Sequence, residues 1–273
     1  MAECDNNCSA CGVENCPSRN GESLKVQANP LSNVKKVIAV VSGKGGVGKS
    51  LTTSLLAVNA RRKGLATAII DADLTGPSIP KAFGLSGIAT ANETTLFPVR
   101  TKTGIEAISI NLLIDDPASP VIWRGPVLAG LIKQFWTDVA YGDIDELYID
   151  MPPGTGDVPL TVFQSLPIDG IIIVTSPQDL VSLIVEKAVR MARMMNIPVL
   201  ALVENMAYLE CPHCGEKIYP FGEGNKEEAK RLEIPFYASL PIDPNLANLC
   251  DQGKIEDYQG DYLLGLSEYI HNL

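Results

Sequence analysis

Three groups of residues have types and spacings able to do chemistry. The first is S-G-K-G-G-V-G-K-S, Ser42 to Ser50, which satisfies the phosphate-loop spacing G-x-x-x-x-G-K-[ST]. Gly43, Gly45, Gly46 and Gly48 permit positive φ and let main-chain N–H groups close around phosphate oxygens, while a helix starting there would add positive potential. Lys49 is then placed to neutralise β- and γ-phosphate charge, and Ser50 to offer its hydroxyl to Mg²⁺. The stretch Gly43, Lys44, Gly45, Gly46, Val47, Gly48, Lys49, Ser50 and Leu51 is therefore expected to line ATP.

The second group is acidic. Asp150 ends the apolar run Leu147 to Ile149, just before M-P-P-G-T-G-D, and is the expected acidic partner of the magnesium ion. Asp71-Ala72-Asp73 ends another apolar run. Asp73 is expected to orient a water for in-line attack on the γ-phosphate, and Asp71 to support it or hold a metal-bound water. Carboxylates at strand ends also serve as turn and helix caps, a reading that stays open for Asp71 in particular.

The third group is the seven cysteines: Cys4, Cys8, Cys11 and Cys16 near the start, a C-x-x-C at Cys211 and Cys214, and Cys250 alone. Clustered thiols without an export signal point to metal binding or reactivity instead of disulfides. A tetrahedral thiolate site needs four ligands and Cys211/Cys214 supply two, so two copies about a two-fold axis would complete an iron–sulfur site. C-P-H-C-G is equally a zinc-knuckle turn, which His213 or Cys250 would complete within one chain. The N-terminal four could wrap a cluster, bind zinc or stay free. Cys250 lies in a helical pattern and reads as a small apolar core residue.

These residues need elements to hold them. Short apolar runs recur at Val37 to Val41, Ala66 to Ile70, Ile105 to Leu113, Leu147 to Ile149, Gly170 to Val174, Val199 to Val203 and Pro235 to Leu240, as buried parallel strands do. Helical stretches such as Val127 to Ala140 and Leu180 to Met195 fit between them. The order predicts a doubly wound α/β fold with a mainly parallel sheet, a P-loop NTPase, over residues 34–273. Residues 1–33 read as a cysteine-rich tail, and 209–221 as an inserted hairpin or knuckle. Tyr262 to Leu273 reads as a helix packed on the domain, with Leu263, Leu266 and Ile270 on one face.

The chain has 273 residues and a formal net charge of −10. That charge argues against nucleic-acid and anionic-membrane partners. No apolar run is long enough to span a bilayer, and the acidic N-terminus is unlike a signal peptide, so a cytoplasmic protein is expected.

With D-A-D-L-T-G-P-S-I-P at 71–80, W-R-G-P at 123–126, D-M-P-P-G-T-G-D at 150–157, T-S-P-Q-D at 175–179, E-N-M at 204–206 and C-P-H-C-G at 211–215, the chain resembles the Mrp-type iron–sulfur carriers. These are a deviant Walker A branch related to MinD, ParA and nitrogenase iron protein. The resemblance covers about residues 35–273. It implies an ATPase that acts as a homodimer, with Lys44 reaching the partner's nucleotide and slow hydrolysis coupled to cluster loading or release. It further implies that Asn205 reads the adenine edge, that the segment near Pro241 to Pro244 closes over the base, and that a [4Fe-4S] cluster shared between Cys211/Cys214 pairs passes to apo iron–sulfur proteins. A MinD- or ParA-like positioning ATPase with a zinc knuckle and an ATP-dependent reductase are the alternatives. The former needs a membrane-binding helix or a DNA-binding basic surface, and neither is evident in this sequence; the latter places its cluster cysteines far apart in sequence.

Overall fold

In the computed structural model the described residues are 25–273 except 74, 75, 77, 115–124, 155, 178–180 and 223, with only the backbone described at 125, 126, 157, 181 and 182. Cys4, Cys8, Cys11 and Cys16 thus lie outside the described residues.

In chain order the elements are β1 (Ser32–Val34), β2 (Val37–Ser42), α1 (Lys49–Arg62), β3 (Thr67–Asp71), α2 (Ile79–Ala82), β4 (Val99–Arg100), β5 (Glu106–Ile108), α3 (Gly125–Thr137), β6 (Gly142–Ile144) and β7 (Glu146–Asp150). There follow α4 (Asp157–Ser165), β8 (Gly170–Thr175), α5 (Val181–Met194), β9 (Val199–Glu210), β10 (Lys217–Ile218), α6 (Lys226–Arg231), β11 (Phe236–Pro241), α7 (Pro244–Asp251) and α8 (Leu264–His271).

Strands β11, β9, β8, β2, β7, β3 and β5 pair in that order, all parallel, with β4 added antiparallel beyond β5 and β10 antiparallel to the end of β9. The fold is the doubly wound α/β architecture that the sequence pattern implies. Alternation along the strands sorts side chains to two faces. Val37, Ala39 and Val41 pack with Ile132, Phe135, Val162, Val185 and Ala188 from α3, α4 and α5. Ile38 and Val40 face Leu55, Leu56, Leu246 and Leu266 from α1, α7 and α8. Central strands buried on both faces explain why their sequences are unbroken apolar runs.

Because β2 lies between β7 and β8, the chain leaves it toward β3 on one side and later returns to β8 on the other. This reversal opens a crevice at the carboxyl ends of the strands, and both Ser42 and Asp150 are placed there.

Three differences from the sequence pattern have physical causes. The packed unit begins before residue 34: β1 pairs with β6, and Val26 and Asn29 donate main-chain bonds to Ser165 and Trp136 carbonyls. The run Ile105 to Leu113 is a strand only through Ile108, then a 3₁₀ turn at Ile110–Leu112, since a short apolar run does not by itself separate strand from buried helix. Strand β9 continues past Val203 to Glu210 and becomes one leg of the predicted hairpin.

Candidate functional site

The loop between β2 and α1 forms one wall of a cleft of about 650 Å³, lined on its other sides by Asp73, Gly76 and Ser78, by Lys81 and Ala82 of α2, by Pro153, and by Ala247, Cys250 and Asp251 of α7. Positive φ occurs at Gly46 (78°) and Gly48 (89°), the latter capping α1, but not at Gly43 or Gly45. Gly43 is required for a different reason: a Cβ there would overlap the Ile184 side chain of α5. Ser42 donates its hydroxyl to the Lys44 carbonyl at 2.9 Å, which pins the loop to β2.

Helix α1 is buried almost all round, although it carries Thr52, Thr53 and Ser54 in its second turn. Their hydroxyls bond back to the carbonyls of Gly48, Lys49 and Ser50, so no polar group is stranded. Leu51 stays half-buried at the cleft wall.

Lys49 reaches back from α1 to Asp150 Oδ1 at 2.8 Å and Asp73 Oδ2 at 3.3 Å. Burial pulls its ammonium pKa down, but the two carboxylates outweigh this and hold it above the usual lysine value. Asp71 and Asp150 are register partners in β3 and β7, so both arrive at the same level of the sheet. Each is fully buried. Burial pushes the Asp71 carboxyl well up, and the Asp150 charge pushes it further; Ser109 donates to it at 3.1 Å. Burial also raises Asp150, opposed by Lys49 and by the Ser50 hydroxyl.

Asp150 Oδ2 is buried with no hydrogen-bond partner, while Oδ1 takes Lys49 and Thr53. An orphaned carboxylate oxygen beside the Ser50 hydroxyl fits a hard divalent cation, since oxygen ligands are what Mg²⁺ takes. The donor set therefore suits the ion that the sequence implies.

Asn205, from β9, donates its amide to the Val47 carbonyl at 3.0 Å, and a Cβ at Gly48 would collide with that amide. The Asn205 amide is thus packed on the loop itself. Its neighbour Glu204 faces the opposite way and accepts from Tyr237 and Asn225. Pro241 ends β11, and Asp243 caps α7 through the main-chain N–H groups of Asn245 and Leu246. Lys44 is half-buried in the loop.

Cys211 and Cys214 form the turn of the β9–β10 hairpin, held by Gly215 N–H to Cys211 O at 2.8 Å and Cys211 N–H to Glu216 O at 2.9 Å. Cys214 is exposed and Cys211 partly so. The Cys211 thiol is lowered by main-chain N–H groups of His213 and Cys214. Among the described residues no three His, Cys, Asp or Glu side chains converge for a metal, so neither His213 nor Cys250 completes a site with this pair. Cys250 packs against the core on the α1, α7 and α8 face of the sheet yet also lines the nucleotide cleft, a position its helical pattern does not disclose.

Residues 33–263 match the family described as ParA, NUBPL iron-transfer P-loop NTPase. The chain belongs to this family. An iron-sulfur cluster carrier protein of Methanocaldococcus jannaschii is 43% identical over 261 residues, covering 93% of this chain and 90% of the relative. Among solved structures, a nucleotide-binding protein from Archaeoglobus fulgidus in complex with ADP is 46% identical with a TM-score of 0.76, over 84% of this chain and 90% of that one. The cell division ATPase MinD of Pyrococcus furiosus shares the fold, with a TM-score of 0.61 at 20% identity over 87% of this chain and 98% of its own. In this iron-transfer NTPase, Lys81 and Ala82 of α2 and Ala247, Cys250 and Asp251 of α7 are wall residues that lie outside the motifs, and the fold brings them to the loop.

Proposed function

We propose that the chain is an ATPase that carries iron–sulfur clusters: two copies hold one [4Fe-4S] cluster as cargo between their Cys211/Cys214 turns and pass it to apoproteins. The observation that carries this reading is a solvent-facing hairpin presenting two thiols and, among the described residues, no third ligand beside them. Four thiolates come from two such turns, and a cluster at an exposed seam is easier to release than one enclosed by a single fold. The M. jannaschii relative bears the name of such a carrier.

At the nucleotide, Gly43 to Ser50 cradle the phosphates, and Lys49 is drawn by γ-phosphate charge away from its two carboxylates. Ser50 and Asp150 would hold Mg²⁺, which would supply charge neutralisation to the bound phosphates. Asp73 orients the attacking water, with Asp71 supporting the site from beneath. Lys44 reaches toward the partner's nucleotide, so ATP contributes to holding the homodimer. Asn205 leaves the Val47 carbonyl to read the adenine edge. One strand then connects the two sites: β9 carries Asn205 and ends at Glu210, next to Cys211. Nucleotide state and cargo release are thereby mechanically linked.

The test is anaerobic reconstitution with iron and sulfide, reading iron per dimer and Mössbauer spectra for wild type and Cys211→Ala/Cys214→Ala. The expected result is a loss of about four irons per dimer in the variant, whatever the N-terminal cysteines bind. A variant that keeps all its iron, or a wild type that takes up zinc in preference, removes the cargo site.

A further inference from the structure

The two helices walling the nucleotide cleft touch each other glycine to glycine. Gly84, two residues past the end of α2, has φ +63°, and Gly253, two residues past the end of α7, has φ +69°. Both ends close in the same way, Leu85 N–H to the Pro80 carbonyl and Lys254 N–H to the Leu249 carbonyl, each at 2.8 Å. A Cβ added at Gly84 would lie 2.7 Å from the Gly253 carbonyl oxygen. One added at Gly253 would lie 2.5 and 2.8 Å from Gly84 Cα and N. Every one of those atoms is backbone, so no side chain can swing aside: only two glycines allow this approach. One turn nearer the cleft, Lys81 of α2 pairs with Asp251 of α7 at 2.7 Å, and both side chains line the cleft.

Helix α2 is also tied to Asp73. Gly76 N–H donates to the Asp73 carbonyl at 3.2 Å, the Ser78 hydroxyl to the Gly76 carbonyl at 3.0 Å, and Ala82 N–H to the Ser78 carbonyl at 3.0 Å. A continuous hydrogen-bonded path thus runs from the strand end bearing Asp73 into α2. From there the glycine contact leads to α7, whose first turn follows the Pro241 to Pro244 segment.

We infer that Gly84 and Gly253 are positioning residues for ATP hydrolysis: their contact holds α2 against α7 and thereby sets the Asp73 carboxylate relative to the nucleotide. The inference rests on the reading of Asp73 as the group that orients water. A wall that meets the nucleotide is joined to the segment that acts on its γ-phosphate, and a displacement of about 1 Å there costs up to about 100-fold in rate.

The test is steady-state ATP turnover and ADP affinity on the full chain with Gly253→Ala, Asp251→Lys, Lys81→Asp/Asp251→Lys and Asp73→Asn. Gly253→Ala is expected to lower kcat about tenfold while ADP affinity stays within about twofold, the split that marks lost transition-state alignment. Asp251→Lys sets like charges against each other on an exposed pair. It is expected to lower kcat only about two- to threefold, with the exchanged pair restoring it. That rescue also decides the matter if Gly253→Ala fails to fold. Turnover unchanged in both single variants, or ADP affinity falling in step with kcat, overturns the inference. If Asp73→Asn keeps full turnover, the underlying reading of Asp73 is what fails. If it loses turnover while Gly253→Ala and Asp251→Lys do not, the clasp alone fails.

Discussion

The cysteines of the packed domain differ in reactivity because their surroundings differ. Cys250 is half-buried against the core with Asp251 beside it; burial first, and that charge second, push its thiol up to about 11. At pH 8 Cys250 is therefore held largely in the thiol form, whereas the thiolate is the form that reacts with alkylating agents. Cys211 is the reverse case, its sulfur facing the main-chain N–H groups of its own turn and its pKa lowered by them. Brief iodoacetamide treatment of the native protein at pH 8, followed by peptide mass mapping, should therefore label Cys211 well before Cys250. Equal labelling would mean that Cys250 is more open to solvent than its packing implies. The same contrast explains why spacing misjudges Cys250. Its helical pattern indicates an apolar environment, which it has, but one side of that environment is the nucleotide cleft.

At the scale of elements, β9 does the most joining. Successive residues point to opposite faces, so Asn205 meets the phosphate loop while Glu204 is driven beneath the sheet edge, fully buried, with Tyr237 and Asn225 as its donors. Met206 follows with φ 58°, a conformation costly for a non-glycine side chain, and the β9–β11 register shifts near this point. Tyr237→Phe removes one donor from the buried carboxylate without changing shape much. It should lower unfolding free energy by about 1.5–3 kcal/mol, seen as an earlier urea midpoint at unchanged slope. An unchanged midpoint would show that Asn225 alone satisfies Glu204. Much of the surrounding architecture was legible in the sequence, because strands buried on both faces must be short and apolar and the loop glycines are chemically constrained. The pairing of β1 with β6 was not, since three-residue strands carry no usable alternation. Nor was the contact of Gly84 with Gly253, which are 169 positions apart and belong to no motif. The positive-φ requirement is likewise narrower than the motif suggests, falling on Gly46 and Gly48 while Gly43 answers to the Ile184 side chain.

For the whole molecule, the proposed dimer must form against charge. Each chain carries a net −10, so two copies repel each other overall, and that repulsion is long-ranged while thiolate ligation is short-ranged. Salt separates the two. Raising ionic strength from about 0.05 M to about 0.3 M shortens the screening length from about 14 Å to about 6 Å, which weakens repulsion between whole chains but leaves metal–sulfur bonds at contact distance almost untouched. In the absence of nucleotide, cluster-loaded protein is therefore expected to show a larger dimer fraction by sedimentation velocity at the higher salt, and Cys211→Ala/Cys214→Ala to remain largely monomeric in both. If the dimer fraction of loaded protein falls with salt instead, opposite charges across the interface are holding it together. Any arrangement of the two chains would then have to bring basic residues of one copy onto the acidic surface of the other.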